Sequence, residues 1–212
     1  MEIENKNIND YIYEEIKNLL DNHVLPINRK INKLELSNKF NVSLTPINAA
    51  LNKLVGENYL TYVPRKGFFI KQISKKEILE AFDILAAIES IAIKLFSTNI
   101  DYNKIEKLTH FFDEFSNGIE ENLINDYLKT EKYFHQKIIE YSDNKKLLEI
   151  YNSLKFYTNY YHRNINNLNL SLIEHLQITN NLNHHNFIEA QQAIENHFLN
   201  SKDRLLKTKD NN

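Results

Sequence analysis

The sequence predicts a mainly α-helical protein with an N-terminal winged helix-turn-helix over residues 1–72 and a six-helix antiparallel bundle over residues 73–212. Three observations predict this fold. Glycine and proline each occur only three times in 212 residues, which disfavours folds built on many tight turns. Apolar residues recur at helical spacing along most of the chain. One pair of β-prone segments, 58–63 and 68–72, flanks a glycine-containing turn and predicts a single hairpin.

The N-terminal domain is predicted to contain three helices before the hairpin. The first covers residues 8–22, and the Leu25-Pro26 step interrupts it. The second covers 31–40, and a turn at 41–43 separates it from the third. Thr45 is the expected N-cap of the third helix, with Pro46 at the first helical position. This helix is expected to run to about residue 55 and to bury four apolar side chains: Ile47, Ala50, Leu51 and Leu54.

The second domain is predicted to be helical throughout. Ser74 and Glu77 fit a capping box that begins a helix ending near Thr98. Clusters of Asn, Asp and Ser separate the helices that follow, and short links between helices favour an antiparallel bundle. Five further helices are expected: 102–118, 121–142, 144–164, 170–183 and 187–207.

Composition and charge exclude several classes of protein. The chain has no cysteine, so a disulfide framework, a thiolate metal site and a cysteine nucleophile are excluded. No apolar run approaches the roughly 20 residues that span a bilayer, and the polar N-terminus is not a signal peptide. We therefore expect a cytoplasmic protein with no membrane partner. Residues 29–71 hold eight basic and two acidic residues within a chain of net charge −2, which suits contact with phosphates; a solvated charged surface is the alternative.

Two stretches carry a resemblance to a known family of regulators. Residues 42–51, Val-Ser-Leu-Thr-Pro-Ile-Asn-Ala-Ala-Leu, are followed by Leu54 and by the turn Pro64-Arg65-Lys66-Gly67. This pattern resembles the GntR family, whose usual string is V-S-R-T-P-V-R-E-A-L with R-G at the wing tip. The second domain resembles the FCD ligand-binding domain of the FadR-like branch. The residues that carry the second resemblance are Glu89, Phe134, His135, Asn144, Glu174, His175, Ala190 and His197.

The resemblance implies a transcription regulator that binds a double-stranded DNA operator as a homodimer and is not an enzyme. It places the third helix in the major groove with the wing beside it. The family's two arginines are Leu44 and Asn48 here, and its glutamate is Ala49. Asparagine pairs with adenine, so we expect Asn48 to read an A·T pair in an A·T-rich operator. The candidate DNA-binding residues are Ser43, Thr45, Asn48, Lys53, Arg65, Lys66 and Gly67.

The resemblance also implies a metal site in the second domain. Many FCD domains hold a divalent metal with an Asp-x-x-x-His pair and two later histidines that are 22 residues apart. Glu131 and His135 share one helix face at i and i+4, and His175 and His197 are 22 residues apart. Glu131 stands where the family has aspartate. Three imidazoles and one carboxylate suit Zn²⁺ or Ni²⁺.

A small organic acid is the expected effector, since family members with this metal commonly sense such molecules. Its carboxylate would bind at or near the metal. Candidate pocket residues are Tyr157, Tyr161 and Arg163, although aromatic residues at helical spacing are often core instead. Leu85 replaces an arginine that is often found four residues before Glu89.

Two other functions remain open at the level of sequence. Glu131 and the three histidines could serve a metal-dependent hydrolase-like enzyme, but no second positioned acid or base is evident. The loss of arginine at Leu44 and Asn48 also fits an interaction module that no longer binds DNA. Salt-dependent affinity for DNA separates the regulator from both alternatives.

Overall fold

A computed structural model describes residues 7–21, 30–98, 100–162 and 168–208. The chain divides into two compact units, residues 1–73 and 74–212. Within the described ranges, no helix is both long and apolar enough to cross a membrane.

The first unit is a winged helix-turn-helix, as the sequence predicts. Ile12 and Ile16 on the first helix and Leu51 and Leu54 on the third are fully buried, and these two helices pack against each other. The strands are antiparallel, with Leu60 opposite Ile70. The elements are α1 Ile8–Asp21, α2 Lys33–Phe40, α3 Leu44–Gly56, β1 Leu60–Val63 and β2 Gly67–Ile70.

The turn between α2 and α3 differs from the prediction in one respect. Asn32 caps α2, and Asn41 ends it in the left-handed conformation with φ 52°. Helix α3 begins at Leu44 with Ser43 at the N-cap position, so the prediction of Thr45 as N-cap is wrong. Pro46 is therefore the third helical residue. It is tolerated there because backbone N–H groups of the first turn have no partner within the helix.

The second unit is the predicted helical bundle. Ser74 and Glu77 form the capping box, with the Ser74 N–H 2.9 Å from Glu77 Oε2 and the Glu77 N–H 3.2 Å from Ser74 Oγ. Helix α4 packs against α9, α7 and α6, and α8 packs against α9 and α5. The helices are α4 Lys75–Thr98, α5 Tyr102–Thr109, α6 Ile124–Tyr141, α7 Lys145–His162, α8 Leu168–Asn183 and α9 Phe187–Lys207.

The predicted helix over 102–118 is not continuous. Helix α5 ends at Thr109, and a short 3₁₀ turn follows at Asp113–Phe115. Phe112 and Phe115 are almost completely buried, and the Phe112 ring stacks on His175 at 4.7 Å between centroids. The irregular segment therefore places two aromatic rings in the core, and their spacing imitates the period of a helix.

Candidate DNA-binding surface and metal centre

Helix α3 has one buried face and one exposed face. Its buried face contacts the core of the first unit through Ile47, Ala50, Leu51 and Leu54, as predicted. Asn48 is half-buried on the edge of the exposed face. The exposed residues along the helix and its N-cap are Ser43, Leu44, Thr45, Ala49, Asn52 and Lys53. The helix therefore offers a partner mainly small and polar side chains, with the apolar Leu44 at its start.

The hairpin tip carries exposed cations. Arg65 and Lys66 are exposed, and Arg65 adopts a positive φ of 62°. Gly67 has φ 109°, and a Cβ atom at Gly67 would lie only 2.9 Å from Cε of Lys30. The Lys30 side chain thus runs beside the wing tip, a placement that sequence reasoning missed because more than 30 residues separate it from the hairpin.

Two side chains of α3 have neighbours that the sequence did not indicate. The Lys53 Nζ atom lies 3.7 Å from the centroid of the Tyr13 ring, so the ammonium of Lys53 stacks on an aromatic ring of α1. The Lys33 Nζ atom of α2 donates a hydrogen bond of 3.0 Å to Oδ1 of Asn48. Both contacts join different helices, and no local spacing rule predicts them.

The second unit gathers Glu131, His135, His175 and His197 around one point. One donor atom from each lies within 4.8 Å of the others, and all four residues are buried. Nε2 of His135 and Nε2 of His175 are 3.1 Å apart, and Oε1 of Glu131 is 3.9 Å from Nε2 of His175. Helices α6, α8 and α9 thus bring together the four side chains that the sequence singled out.

Each imidazole of this cluster has a partner at its Nδ1 atom. Nδ1 of His135 is 2.6 Å from Oε2 of Glu89. Nδ1 of His175 is 2.9 Å from the hydroxyl of Tyr127, and Nδ1 of His197 is 2.9 Å from Oε2 of Glu174. Such outer partners fix the tautomer of a metal-binding histidine and leave the lone pair of Nε2 available to bind the metal. Glu89 and Glu174 are among the residues that carry the resemblance to the FCD domain, whereas no signal in the sequence indicated Tyr127.

The electrostatics of the cluster follow from burial and pairing. Burial acts to raise the pKa of Glu174, but hydrogen bonds from Arg204 and His197 outweigh it and bring the pKa to about 2. Burial lowers the pKa of His197, despite the opposing hydrogen bond with Glu174. Burial raises the pKa of Glu89. Burial acts to lower the pKa of His135, but the neighbouring Glu89 outweighs it and raises this pKa. The His197 imidazole, kept neutral with its Nδ1–H donated outwards, presents the Nε2 lone pair that a divalent metal requires.

A cavity borders the cluster. Its volume is about 20 Å³, which is room for one or two water molecules. Of the predicted effector residues, Tyr161 lines the cavity, Tyr157 is not among its lining side chains, and Arg163 falls outside the described residues. The lining residues are Phe82, Glu89, Glu131, Lys132, His135, Tyr151, Thr158, Tyr161, His197, Phe198 and Ser201.

A polar network connects the cavity wall to the cluster. The Arg204 guanidinium donates to both carboxylate oxygens of Glu174, at 2.6 and 2.8 Å. Its Nε atom also donates to the hydroxyl of Tyr161 at 3.1 Å. Arg204 thus holds a cavity residue and the outer partner of His197 in one arrangement. No local pattern indicated this arginine, because Glu174 and Tyr161 lie 30 and 43 residues away from it.

Comparisons with known proteins match both units. Residues 8–70 match the family model "Bacterial regulatory proteins, gntR family", and residues 80–200 match "FCD domain". The chain is 30% identical over 125 residues to the "Nta operon transcriptional regulator" of Aminobacter aminovorans, which covers 59% of each chain. It is 28% identical over 149 residues to the "Uncharacterized HTH-type transcriptional regulator YdhC" of Bacillus subtilis, covering 67% of this chain and 65% of the relative. The match thus spans about three fifths of the length of these relatives.

Two solved structures share the fold. "E. coli McbR/YncC" has a TM-score of 0.79 at 16% identity, covering 95% of this chain and 98% of that one. A "putative transcriptional regulator GntR from Rhodococcus sp. RHA1" has a TM-score of 0.80 at 12% identity, with the same coverage. At such low identity these likenesses show the fold alone.

Proposed function

The chain belongs to the GntR family of bacterial transcription regulators and carries an FCD domain, and we propose that a small carboxylate bound beside a divalent metal controls its affinity for DNA. In this proposal, residues 1–72 bind DNA, and residues 73–212 bind the ligand and form the dimer. The effector, the metal and the dimer are all part of this proposal.

The first unit supports the DNA-binding part of the proposal through the exposed face of α3 and the cations beside it. Arg65 and Lys66 on the hairpin and Lys53 on α3 are suited to phosphate contacts, which supply most of the affinity for DNA. Residues at the start of α3 are suited to base edges in the major groove. The proposed contact set is Ser43, Thr45, Asn48, Lys53, Arg65, Lys66 and Gly67.

The second unit supports the metal part of the proposal through its donor set. Glu131, His135, His175 and His197 would hold the ion, and three imidazoles with one carboxylate fit Zn²⁺ or Ni²⁺. Glutamate in place of the family's aspartate still brings its carboxylate into the cluster. A bound divalent ion would supply a positive charge that attracts a carboxylate.

The lining of the cavity supports a small organic acid as the effector, which would displace the water and widen the cavity on binding. Lys132 supplies a cation to its wall, and the hydroxyls of Tyr151 and Tyr161 belong to residues that line it. Phe82 and Phe198 add apolar surface to the lining. A few polar groups that converge in an otherwise apolar cavity are the usual design of a small-molecule site.

Helix α4 supports a homodimer. Ile84, Ala87 and Ile91 form one exposed stripe at i, i+3 and i+7, with Glu80 before it and Lys94 after it. In an antiparallel pair of α4 helices centred at Ala87, Glu80 of each copy would face Lys94 of the other. Such a self-complementary surface suits a two-fold dimer, and a dimer of winged helices matches a palindromic operator.

The observation that carries this proposal is the convergence of four buried ligating side chains at the edge of a cavity. Its test is a fluorescence-anisotropy titration of the full chain with a duplex from upstream of its own gene, at low and moderate salt. The titration is repeated with a panel of small carboxylates, on metal-loaded and on chelator-treated protein. We expect specific binding that weakens with salt and at least one carboxylate that changes the affinity only in metal-loaded protein.

Two results would overturn the proposal. Equal affinity for the upstream duplex and for an unrelated duplex would remove the operator-binding function. A protein whose melting temperature does not respond to Zn²⁺ or Ni²⁺ would remove the metal, because an ion that binds the folded state must stabilise it.

A further inference from the structure

One hydrogen bond connects the two helices of the helix-turn-helix on the side that the proposed function assigns to DNA. Lys33 is the first residue of α2, and its Nζ atom donates to Oδ1 of Asn48 in α3 over 3.0 Å. Of the two polar atoms in the Asn48 amide, only Oδ1 can accept a hydrogen bond from an ammonium group. This contact therefore also orients the amide. The Nδ2 group of Asn48 therefore lies on the side away from Lys33.

Asn48 lies at the edge of the exposed face of α3. Its side chain would therefore contact any partner that this face binds. Leu44 and Asn52, four residues before and after it on the same row of the helix, are both exposed. Ile47 and Leu51 belong to the buried face. The Lys33–Asn48 pair thus lies within the surface that the proposed function places against base edges, and Lys33 belongs to that surface although it comes from α2.

The pair presents hydrogen-bond donors. A lysine ammonium has three donors and no acceptor, and an asparagine amide has two donors on Nδ2. The acceptor of the Asn48 amide, Oδ1, already receives the Lys33 ammonium. The two side chains together therefore offer N–H groups from two nearby atoms, together with the full positive charge of Lys33.

We propose that Lys33 and Asn48 act as one reading unit that selects guanine, an inference that rests on the proposed DNA-binding function of α3. In the major groove guanine presents two acceptors, N7 and O6. The Nδ2 group of Asn48 donates to one of them, and the Lys33 ammonium donates to the other. The pair thereby supplies the two donors of the arginine that the family has in the position of Asn48.

Adenine fits this pair poorly. Its major-groove edge presents the acceptor N7 beside the donor N6–H₂. An asparagine that reads adenine accepts from N6 at Oδ1, and here that oxygen already accepts from an ammonium. The Lys33 ammonium and the N6 amino group of adenine would then both donate to Oδ1 of Asn48, and the ammonium would repel the partly positive hydrogens of N6. Lys33 therefore reverses the preference for adenine that the sequence suggests for Asn48.

The test is a selection of bound duplexes from a pool with 20 random base pairs, carried out with the full chain and its variants. The variants are Lys33→Met, which keeps an unbranched chain but removes the ammonium, and Asn48→Ala. Lys39→Met is the matched control, because Lys39 is an exposed lysine on the same helix. Circular dichroism spectra of all four proteins establish that each is folded.

We expect the unaltered chain and Lys39→Met to select guanine at one position of each half-site. Lys33→Met is expected to select adenine there, because the freed Oδ1 then accepts from N6. In a competition titration, replacing this G·C pair by A·T should weaken binding of the unaltered chain about tenfold. The same replacement should leave Lys33→Met unchanged or bound more tightly.

Retention of guanine by Lys33→Met would overturn the inference. A uniform loss of affinity for all duplexes, with a salt slope smaller by about one, would do so as well, because Lys33 would then contact only a phosphate. Failure of the unaltered chain to enrich any sequence is a different result. It would remove the proposed DNA-binding function, and the inference with it.

Discussion

The three imidazoles of the cluster, those of His135, His175 and His197, show how single residues shape a candidate metal site. Each has its Nδ1 atom held by a different partner, from helix α4, α6 or α8. Glu89 and Glu174 are carboxylates, whereas Tyr127 is a buried phenol whose pKa is raised mainly by burial. Tyr127 therefore stays neutral and orients His175 without adding charge to the cluster.

Replacement of Tyr127 by phenylalanine tests this orienting role. Y127F removes the oxygen 2.9 Å from Nδ1 of His175 and keeps the ring in the core. We expect the affinity for Zn²⁺ to fall roughly 10- to 100-fold, the usual cost of losing an outer partner. Competition with a chromogenic chelator measures it, and Y133F, at an exposed tyrosine on the same helix, is the control. Equal affinities in the two variants would contradict the role of Tyr127.

Spacing along a helix made part of the candidate metal site predictable from the sequence. Glu131 and His135 are one turn apart on α6, and periodicity places them on one face. The pairing of His175 with Tyr127 and of Lys33 with Asn48 spans 48 and 15 residues. Those contacts depend on the packing of separate helices, which local pattern rules do not specify.

At the scale of elements, α1 is fastened to the end of α3 by a cluster of polar contacts. The Tyr13 hydroxyl lies 2.7 Å from Oε2 of Glu57, and Lys17 Nζ lies 3.0 Å from the same oxygen. Burial acts to raise the pKa of Glu57, but these hydrogen bonds outweigh it, and the pKa lies below its ordinary value of 4.5. The ionised carboxylate therefore stabilises the folded unit.

The pH dependence of this contribution can be predicted. Because the pKa of Glu57 is lowered by folding, its contribution is present above pH 4.5 and is lost as the pH falls through the folded value. At neutral pH, E57Q should lower the opening free energy of α1 and α3 by less than about 1 kcal/mol, since the pair is partly solvated. The difference in opening free energy between E57Q and the unaltered chain should shrink as the pH falls below 4.5.

Hydrogen exchange followed by mass spectrometry measures this difference in opening free energy directly. The two chains are compared at each pH, so that intrinsic exchange rates cancel. E14Q is the control, because Glu14 is an exposed glutamate of the same helix and no contact between it and Glu57 is found among the described residues. A difference between E57Q and the unaltered chain that stays constant from pH 7 to pH 3 would contradict the account.

The wing depends on one glycine. Gly67 adopts φ 109°, and an added Cβ would approach Cε of Lys30 to 2.9 Å. G67A should therefore strain the turn by about 1–3 kcal/mol and lower the affinity for DNA, while the metal content stays unchanged. G56A is the matched control, because Gly56 is helical and has no atom within 4 Å of a Cβ. DNA affinity in G67A equal to that in G56A would show that the wing is not required.

Helices were predictable where the spacing of apolar residues and the capping residues at the helix ends indicated the same boundaries. The capping box at Ser74 and the buried face of α3 are two such cases. The segment after α5 was misassigned because Phe112 and Phe115 keep a helical spacing without a helical backbone. The start of α3 was misplaced because proline is tolerated at any position of a first turn, so Pro46 alone does not define it.

At the scale of the whole molecule, the apolar stripe on α4 predicts that two copies of the chain form a two-fold symmetric dimer. Ile84 and Ile91 are each 46% exposed, and together with Ala87 they form a contiguous apolar stripe, the kind of surface that marks contact with a partner. Two reading helices and two wings per complex would follow from a two-fold dimer. A palindromic operator is the matching DNA.

Replacement of Ile91 by glutamate tests the dimer. I91E places a charge in the stripe, and we expect the mass from light scattering to fall from twice 25.2 kDa to 25.2 kDa. I173E is the control, because Ile173 is exposed on α8, away from the stripe. A chain that stays dimeric in I91E and becomes monomeric in I173E would place the interface elsewhere.

The claim on which the ligand response depends is that a metal lies among Glu131, His135, His175 and His197. Anomalous diffraction from crystals of the full chain, purified without a histidine tag and measured on both sides of the absorption edges of zinc and nickel, tests it most directly. The account predicts one strong anomalous peak about 2.0–2.2 Å from the imidazole Nε2 atoms. Ordered water alone at that point, in crystals grown with added Zn²⁺ or Ni²⁺, would contradict it.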